Sequence, residues 1–525
     1  MFPKEPLPSL IDGLFKRLSQ SAALLKPDPV EIQETHISWV LLAGEHAFKI
    51  KKPVNFGFLD FSTLKLRKEA CEQEIRINQR YSPELYSGVV TITGAINKPQ
   101  LCGDGPIIEY AVKMKRFPAD QLFDQLAIAG KLLPEHILDL AAQVASFHAQ
   151  TPSEPEAFIR QRTDRTQAFV EANFTTISAH LHHEAERPVL KTLHDWTLQQ
   201  QARLRQLILA RSSLGFIREC HGDLHLGNIV LLDGHARLFD GIEFNEDLRW
   251  IDTMSEIAFT VMDLEEHGLP QLGHLFLNRY LELTGDYRGV ELLNYYKLYR
   301  AMVRAKVAII QLKQTTLETK RKALKAVFRQ YIQYGLDLIK LRTPCLLIMH
   351  GLSGSGKSYL ASKLATAFPA ICIRSDLERK RMLAGHPESS LYTRQSNELI
   401  YRHILDAGQR ILISGHNVIL DATFLRHRDR SDAGMIAKAA GSRFCILDCK
   451  APKALLNQRI RTRQREQAGP SDADETVLAF QINVREPLQA YERIQTLTLD
   501  MNLSQDIPAL LNQINQLPSF THSKT

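Results

Sequence analysis

Eight consecutive residues in the middle of the chain combine histidine, aspartate and asparagine at a spacing that suits chemistry on phosphate. They are His221-Gly222-Asp223-Leu224-His225-Leu226-Gly227-Asn228. Phosphoryl transfer requires a carboxylate that orients the acceptor, metal ions that neutralise the triphosphate, and a cation on the phosphates. Asp223 occupies the position of that carboxylate, and the amide oxygen of Asn228 can bind a magnesium ion. Asp240, which follows the short predicted strand Arg237-Leu238-Phe239, is predicted to be the second metal ligand.

A glycine-rich segment further along the chain predicts a second site for phosphates. It is Gly351-Leu352-Ser353-Gly354-Ser355-Gly356-Lys357-Ser358, which fits the pattern GxxxxGK[ST]. The glycines allow backbone N–H groups to surround phosphates, Lys357 reaches the β and γ phosphates, and Ser358 binds magnesium. An apolar strand over 346–349 precedes the segment and a helix over 359–368 follows it. That is the context in which this motif binds ATP.

Further residues of the second site are predicted from the strands and helices that follow. Asp421 ends the strand Asn417-Val418-Ile419-Leu420, where it is expected to hold magnesium directly or through water. Asp376 follows the second strand and is placed to take a proton from an acceptor hydroxyl, because ligands bind at the carboxyl ends of parallel strands. Arg379, one helical turn later, is expected to hold an acceptor phosphate or to stabilise charge.

An arginine from a closing helix is also expected at the phosphates of the second site. Arg459 and Arg463 share one face of a predicted helix, and Arg461 and Arg465 share another. One of these side chains is expected to approach the nucleotide, and Arg463 is the one that we assign to it.

The first site also needs a cation on the phosphates, and the small strands near the N-terminus supply candidates. His46-Ala47-Phe48-Lys49 has the pattern of the Val-Ala-Ile-Lys strand of kinases, which predicts that Lys49 binds ATP. The glutamate that would pair with this lysine is expected on the following helix, and Glu74 is our choice. The alternatives that remain open are Lys51, Glu72 and Glu69.

The order of predicted elements indicates an α+β, two-lobed, protein-kinase-like domain followed by an α/β P-loop NTPase domain with a parallel sheet. Strands over 37–42 and 47–54 and a helix over 64–81 begin a strand-rich lobe, and mostly helical sequence follows. After Arg342-Thr343-Pro344 the pattern changes to alternating strands and helices. We therefore predict a kinase domain over 1–320, a helical linker over 321–343 and a P-loop domain over 344–525.

The first motif resembles the aminoglycoside phosphotransferase and choline kinase-like family, through the pattern HGDxHxxN and the later Asp240, over about residues 30–310. The glycine-rich segment with Asp376-x-x-Arg379 resembles P-loop kinases such as polynucleotide 5′-kinases, gluconate kinase-like enzymes and zeta toxins. Together the halves resemble a bacterial family of fused proteins. The resemblance implies two kinase-type domains that use ATP and Mg²⁺, and it leaves the acceptors unspecified.

Departures from protein kinases indicate small-molecule acceptors. No glycine-rich loop joins the first strands, and Asp240 is followed by Gly241-Ile242 rather than Phe-Gly. We therefore predict a bifunctional kinase of small hydroxyl-bearing metabolites with two separate ATP sites. In one alternative, a domain is an ATP-binding regulatory module for the other. In another, the C-terminal domain phosphorylates nucleic-acid ends, but no aromatic residues interleave with its basic runs, Arg379-Lys380-Arg381 and Arg426-His427-Arg428.

Composition is consistent with these expectations. The chain has 525 residues, which is too long for one core, and a net charge of +7. That mild excess permits an anionic partner such as ATP without requiring one. The seven cysteines form no CxxC pair, and no signal peptide or membrane-spanning run is evident. A cytoplasmic protein without a membrane partner is the expectation, and its oligomeric state is left open.

Overall fold

The computed structural model of the protein describes residues 7–25, 30–57, 59–155, 159–181, 186–384, 393–466 and 473–517. The chain forms two compact units. The first comprises Met1–Gly268 and Tyr295–Gly335, and the second comprises Leu269–Asn294 and Leu336–Thr525. The chain therefore passes between the units three times. The predicted limits 1–320, 321–343 and 344–525 remain a prediction about domains; the compact units differ from them chiefly by placing residues 269–294 with the second unit.

The first unit begins with a six-stranded antiparallel sheet. Its strands are β1 (Glu31–Glu34), β2 (Ser38–Ala43), β3 (His46–Lys51), β4 (Tyr86–Ala95), β5 (Lys98–Leu101) and β6 (Ile107–Lys115). Their order in the sheet is β1-β2-β3-β6-β4-β5. The turn between β2 and β3 consists of Gly44 and Glu45, since Ala43 pairs with His46. Gly44 has a φ of 55°, a conformation that suits glycine.

Two helices pack on this sheet, α1 (Leu7–Leu25) and α2 (Leu64–Asn78). Helix α1 contributes Leu10, Ile11 and Leu14 to a core on the β2 and β5 side. Helix α2 starts after Thr63, whose hydroxyl accepts a hydrogen bond from the Leu66 N–H, and it packs against β4 and β6. Because β6 lies next to β3 in the sheet, the contact with β6 brings α2 close to β3, the strand that carries the predicted lysine.

The rest of the first unit is mostly helical, as predicted. Its helices are α3 (Phe123–Ile128), α4 (Pro134–Gln150), α5 (Ile159–His180), α6 (Arg187–Ser213) and α7 (Thr253–Glu266). Two antiparallel ribbons follow: β7 (Ile217–Glu219) pairs with β10 (Trp250–Asp252), and β8 (Ile229–Leu232) pairs with β9 (His235–Leu238). The octet His221–Asn228, which we call the catalytic motif, connects β7 to β8. Among the described helices, none combines the length and apolar character needed to cross a bilayer.

Two further helices carry the chain between the units, α9 (Val290–Gln314) and α10 (Glu318–Leu338). The sequence predicts a helical linker over 321–343, which α10 largely covers. It is helical, but it buries Phe328, Tyr331 and Ile332. Most of α10 therefore packs as part of the first unit, because apolar residues at helical spacing need a partner surface.

The second unit is built on a five-stranded parallel sheet. Its strands are β11 (Cys345–His350), β12 (Ala370–Arg374), β13 (Asn417–Asp421), β14 (Arg443–Lys450) and β15 (Thr496–Asp500). Their order is β12-β13-β11-β14-β15. Its helices are α8 (Pro270–Thr284), α11 (Lys357–Ala367), α12 (Ser375–Met382), α13 (Arg394–Ile413), α14 (His427–Ala439), α15 (Lys453–Glu466), α16 (Glu475–Val484), α17 (Ala490–Arg493) and α18 (Ile507–Gln516).

One hydrophobic cluster of the second unit lies between its sheet and α11. Leu347, Met349 and Ile419 of the sheet pack against Leu360 and Leu364 of α11. Every residue of β11 is buried, which is typical of a central parallel strand covered on both faces. Because the five strands are parallel, their carboxyl ends lie along one edge of the sheet. The predicted site residues follow these strand ends.

Candidate active sites

Strand β3 directs two buried lysines toward one glutamate of α2. Nζ of Lys49 lies 2.9 Å from Oε1 of Glu74, and Lys49 also pairs with Asp240. Lys51, two residues along and on the same strand face, pairs with the other carboxylate oxygen of Glu74 and with Glu243. The structure thus brings together the chosen pair, Lys49 and Glu74, and the alternative Lys51.

The burial of these groups distinguishes them from the other candidates on α2. Glu74 is 0% exposed, whereas Glu69 and Glu72 pair with neighbouring lysines at the surface. Burial alone would lower the pKa of Lys49, but Asp240 and Glu74 outweigh it and raise that pKa well above its ordinary value. Lys49 therefore remains a cation beside two carboxylates.

Asp223 and Asn228 of the catalytic motif are in direct contact. Nδ2 of Asn228 donates to the Asp223 carbonyl at 2.9 Å and to its Oδ2 at 3.3 Å. The amide oxygen is then the group with which Asn228 can bind a cation. The Asp223 side chain is 39% exposed. Desolvation would raise its pKa, but His225 and Arg304 outweigh this and hold the pKa of Asp223 below its usual range.

The backbone around Asp240 is fixed by hydrogen bonds to side chains of the first unit. Its N–H donates to the Tyr86 hydroxyl at 2.9 Å, and the following Gly241 N–H donates to Oδ1 of Asn78 at 2.9 Å. The φ of Asp240 is 62°, a conformation that aspartate tolerates better than most residues. Phe239 N–H donates to the Asn228 carbonyl at 3.1 Å, which places the two predicted metal ligands on adjoining segments.

Helix α7 supports the catalytic motif through three polar side chains on one face. Glu256 accepts from the Gly222 N–H, Thr260 donates to the Leu224 carbonyl, and Asp263 accepts from the Leu226 N–H, each at 2.8 Å. Positions 256, 260 and 263 share a helix face. Sequence reasoning missed these residues, although three polar residues at that spacing in the apolar stretch TMSEIAFTVMDL were the available signal.

We expect the Thr260→Val variant to lose about 1 kcal/mol of unfolding free energy, because a near-isosteric change removes one buried hydrogen bond and leaves the Leu224 carbonyl unsatisfied. Denaturant unfolding of the full chain measures it. The control is Thr192→Val, which removes a hydroxyl that bonds to the Pro188 carbonyl on an exposed helix turn. Equal losses in both variants would contradict a supporting role for α7.

The glycine-rich segment adopts the backbone conformation that its glycines permit. Gly351, Gly354 and Gly356 all have positive φ values, of 139°, 79° and 92°. A Cβ on Gly351 would lie 2.5 Å from the Cys449 carbonyl oxygen, so a side chain there would collide with the next strand. Nζ of Lys357, the first residue of α11, donates to the Leu352 carbonyl at 2.8 Å. The segment therefore curls around its own lysine at the start of a helix.

Ser358 and Asp421 meet beside this lysine. The Ser358 hydroxyl is hydrogen-bonded to the Asp421 carboxylate, and Nε of Arg374 lies 3.5 Å from Oδ2 of Asp421. Burial raises the pKa of Asp421 and lowers the pKa of Lys357, against their mutual attraction. Both charged forms are therefore incompletely compensated by the protein. A cation beside Asp421 and an anion beside Lys357 would supply the missing charges.

Lys357, Ser358 and Asp421 line one cavity of about 610 Å³, which the residues predicted to contact the acceptor also line. Asp376 and Arg379 of α12 line it, and so do Arg459 and Arg463 of α15. Arg461, on the other face of α15, pairs instead with Glu475. Of the predicted residues of the second site, nine line this cavity: Ser353, Gly354, Gly356, Lys357, Ser358, Asp376, Arg379, Asp421 and Arg463.

Among the lining residues that were not predicted from the sequence, two contact predicted ones. Gln481 of α16 accepts a hydrogen bond from the Ser353 N–H at 2.8 Å through its Oε1. Arg374, the last residue of β12, contacts Asp421. No motif marks either residue, because each contact joins segments far apart in the chain.

Comparison with known proteins assigns both halves of the chain. The phosphotransferase enzyme family matches residues 62–293, and an AAA domain family matches residues 346–488. The uncharacterized protein Rv2004c of Mycobacterium tuberculosis is 31% identical over 468 residues, covering 86% of this chain and 89% of that protein. The same figures hold for the protein Mb2027c of Mycobacterium bovis. The chain belongs to the family of these mycobacterial proteins.

This chain joins an aminoglycoside phosphotransferase-like kinase domain to a P-loop kinase-like domain, as the motifs indicated, and it is an ATP-dependent kinase. A choline/ethanolamine kinase family protein from Mesorhizobium loti has 11% identity and a TM-score of 0.35 over 62% of this chain and 99% of its own. A gluconokinase from Sinorhizobium meliloti has 20% identity and a TM-score of 0.24 over 33% and 90%. Likeness at this level carries no inference about the substrate of this chain.

Nucleotide binding in the cavity of the second unit should respond to pH through Asp429, which lines that cavity. Burial raises the pKa of Asp429 to about 6, with Arg426 opposing and Asp432 adding to the rise. The carboxylate therefore gains its negative charge as the pH rises through about 6. We expect affinity for an anionic nucleotide to fall by about two- to fivefold over that range, the size of one partly screened charge.

Titration of a fluorescent ATP analogue from pH 5 to pH 7.5 measures this effect. The Asp429→Asn variant is the control, because the ionisation of the nucleotide itself is common to both proteins. If wild type and variant show the same pH dependence, Asp429 does not influence the site.

Proposed function

We propose that the chain is a bifunctional Mg-ATP-dependent phosphotransferase with two separate ATP sites, each of which acts on a hydroxyl group of a small molecule. The observation that supports this proposal is that each unit brings together a buried lysine, side-chain oxygens of a kind that bind divalent cations, and a further aspartate, Asp223 or Asp376. A domain kept only for regulation would not need the acceptor-side carboxylate.

In the first unit, Asn228 and Asp240 would hold magnesium and Lys49 would bind the phosphates of ATP. Magnesium and ATP supply charge neutralisation and the transferable phosphoryl group. Asp240 and Lys49 pair with each other, so binding would exchange this contact for contacts to the cation and the phosphates. Their donor chemistry fits the hard cation and the anionic nucleotide. Glu74 keeps Lys49 aligned throughout.

Asp223 would orient the acceptor hydroxyl and accept its proton. The acceptor oxygen forms a bond to the γ phosphorus, the bond from that phosphorus to the bridging oxygen breaks, and ADP leaves with the electron pair. Because the pKa of Asp223 lies below its usual range, the carboxylate is ionised at neutral pH. It therefore acts chiefly by orientation, and the proton moves late in the transfer.

In the second unit, Lys357 and the glycine-rich backbone would bind the phosphates, with Ser358 and Asp421 holding magnesium. Asp376 would play the part that Asp223 plays in the first unit, and Arg379 would hold an anionic group of the acceptor. Arg463 or Arg459 would cover the nucleotide from α15, since both line the cavity. The uncompensated charges of Lys357 and Asp421 support this assignment. We place both reactions in the cytoplasm, where ATP is abundant and the seven free thiols would stay reduced.

Transfer of label from γ-labelled ATP into a small-metabolite pool tests the proposal, with wild type, Asp223→Asn, Lys357→Met and the double variant. We expect each single variant to remove a different set of labelled products. The proposal fails if neither variant removes any product. If Asp223→Asn leaves the second set intact but abolishes its response to a ligand, one unit is regulatory. Salt-sensitive binding and labelling of oligonucleotides would instead favour nucleic-acid ends.

A further inference from the structure

Helix α8 lies within the residues that match the phosphotransferase family, yet it belongs to the second unit. Asn278 on this helix binds the backbone of β12, the strand at the end of the parallel sheet. Its Nδ2 donates to the Ala370 carbonyl at 2.9 Å, and its Oδ1 accepts from the Cys372 N–H at 2.8 Å. The side chain thus makes two hydrogen bonds of the kind that a neighbouring strand would make. Helix α8 is therefore part of the P-loop fold.

One turn further along α8, Glu282 reaches the second kinase site through Arg374. Oε1 of Glu282 accepts from Nη1 of Arg374 at 3.3 Å, and Nε of the same arginine lies 3.5 Å from Oδ2 of Asp421. Arg279 contacts the other oxygen of Glu282 at 3.3 Å. Arg374 is therefore shared between Glu282 and the carboxylate that we assign to magnesium.

The backbone of Glu282 also contacts α12, the helix that carries Asp376 and Arg379. Nη2 of Arg381 donates to the Glu282 carbonyl at 2.6 Å, and Nη1 of Arg381 pairs with the buried Glu378. Helix α8 thereby contacts both the strand before Asp376 and the helix that carries it. Its single glutamate is placed where it affects the charge balance of the site.

We propose that Glu282 is a positioning residue for magnesium binding at the second site. It shares the guanidinium of Arg374 and so leaves the Asp421 carboxylate available to a cation. Without the charge of Glu282, Arg374 would pair with Asp421 alone, and a cation would have to displace it. This inference rests on the proposed function, because it takes Asp421 as a metal ligand.

The Glu282→Gln variant tests the inference by calorimetry of ATP binding at increasing Mg²⁺ concentration. The second site is identified as the binding that Lys357→Met removes. We expect the half-saturating Mg²⁺ concentration to rise about three- to tenfold, in the range of coupling between contacting residues. ATP binding in EDTA and the unfolding temperature should not change. Glu466→Gln, an exposed change on α15, is the control.

The Arg374→Gln background shows whether the effect passes through Arg374. We expect Glu282→Gln to change the Mg²⁺ dependence little in that background, because the competing guanidinium is gone. An unchanged Mg²⁺ dependence in the single variant would overturn the inference. An equal loss of binding with and without Mg²⁺, together with a lower unfolding temperature, would also overturn it. If Lys357→Met removes no ATP binding at all, the proposed function fails, and this inference with it.

Discussion

The Asp223→Asn variant is expected to transfer phosphoryl groups from the first unit about 10²- to 10⁴-fold more slowly than wild type, the range for loss of a positioned acid–base group. Asparagine keeps the size of the side chain but can neither accept a proton nor orient a hydroxyl with a full negative charge. The contact from Nδ2 of Asn228 to the Asp223 carbonyl, 2.9 Å long, does not involve the changed group. The motif should therefore keep its shape, and ATP affinity should change little.

Single-turnover transfer from labelled ATP, in a Lys357→Met background, isolates this effect to the first unit. The matched control is Asp195→Asn, which changes a surface aspartate of α6 that pairs with Lys191. We expect the control to retain the wild-type rate. A loss smaller than about threefold in Asp223→Asn would show that another group orients the acceptor.

The Lys357→Met variant is expected to bind Mg-ATP at the second site about 10- to 100-fold more weakly, because a hydrogen bond to a charged group contributes about 1.5–3 kcal/mol. Lys357 is 8% exposed, and burial lowers its pKa. The ammonium group is therefore held at a cost by the folded protein. We expect the unfolding temperature of the variant to equal or exceed that of wild type, while nucleotide binding is weakened.

Calorimetric titration with Mg-ATP and thermal unfolding measure the two parts of this expectation. Lys363→Met is the control, since Lys363 lies on the same helix, α11, and is exposed. Weaker binding together with a lower unfolding temperature would indicate that Lys357 supports the fold rather than the ligand. Equal binding by both variants would remove Lys357 from the site.

The local parts of both sites could be predicted because each is a short segment with a fixed backbone requirement. The three glycines of the P-loop need positive φ, and the sequence shows them at the right spacing before a lysine. Strand β3 could be predicted in the same way, since alternate residues of a strand share a face. That rule alone could not choose between Lys49 and Lys51, and the structure shows why: both pair with Glu74.

The sequence by itself determined the two motifs, the fold class of each half and the elements that carry the predicted residues, because these depend on periodicity and on local backbone chemistry. The tertiary structure alone decided which distant side chains support them. Glu243 beside Lys51, the polar face of α7 against the catalytic motif, and α8 against β12 are contacts between segments 34 to 192 residues apart. Burial makes these contacts strong, and only the folded chain determines which groups are buried together.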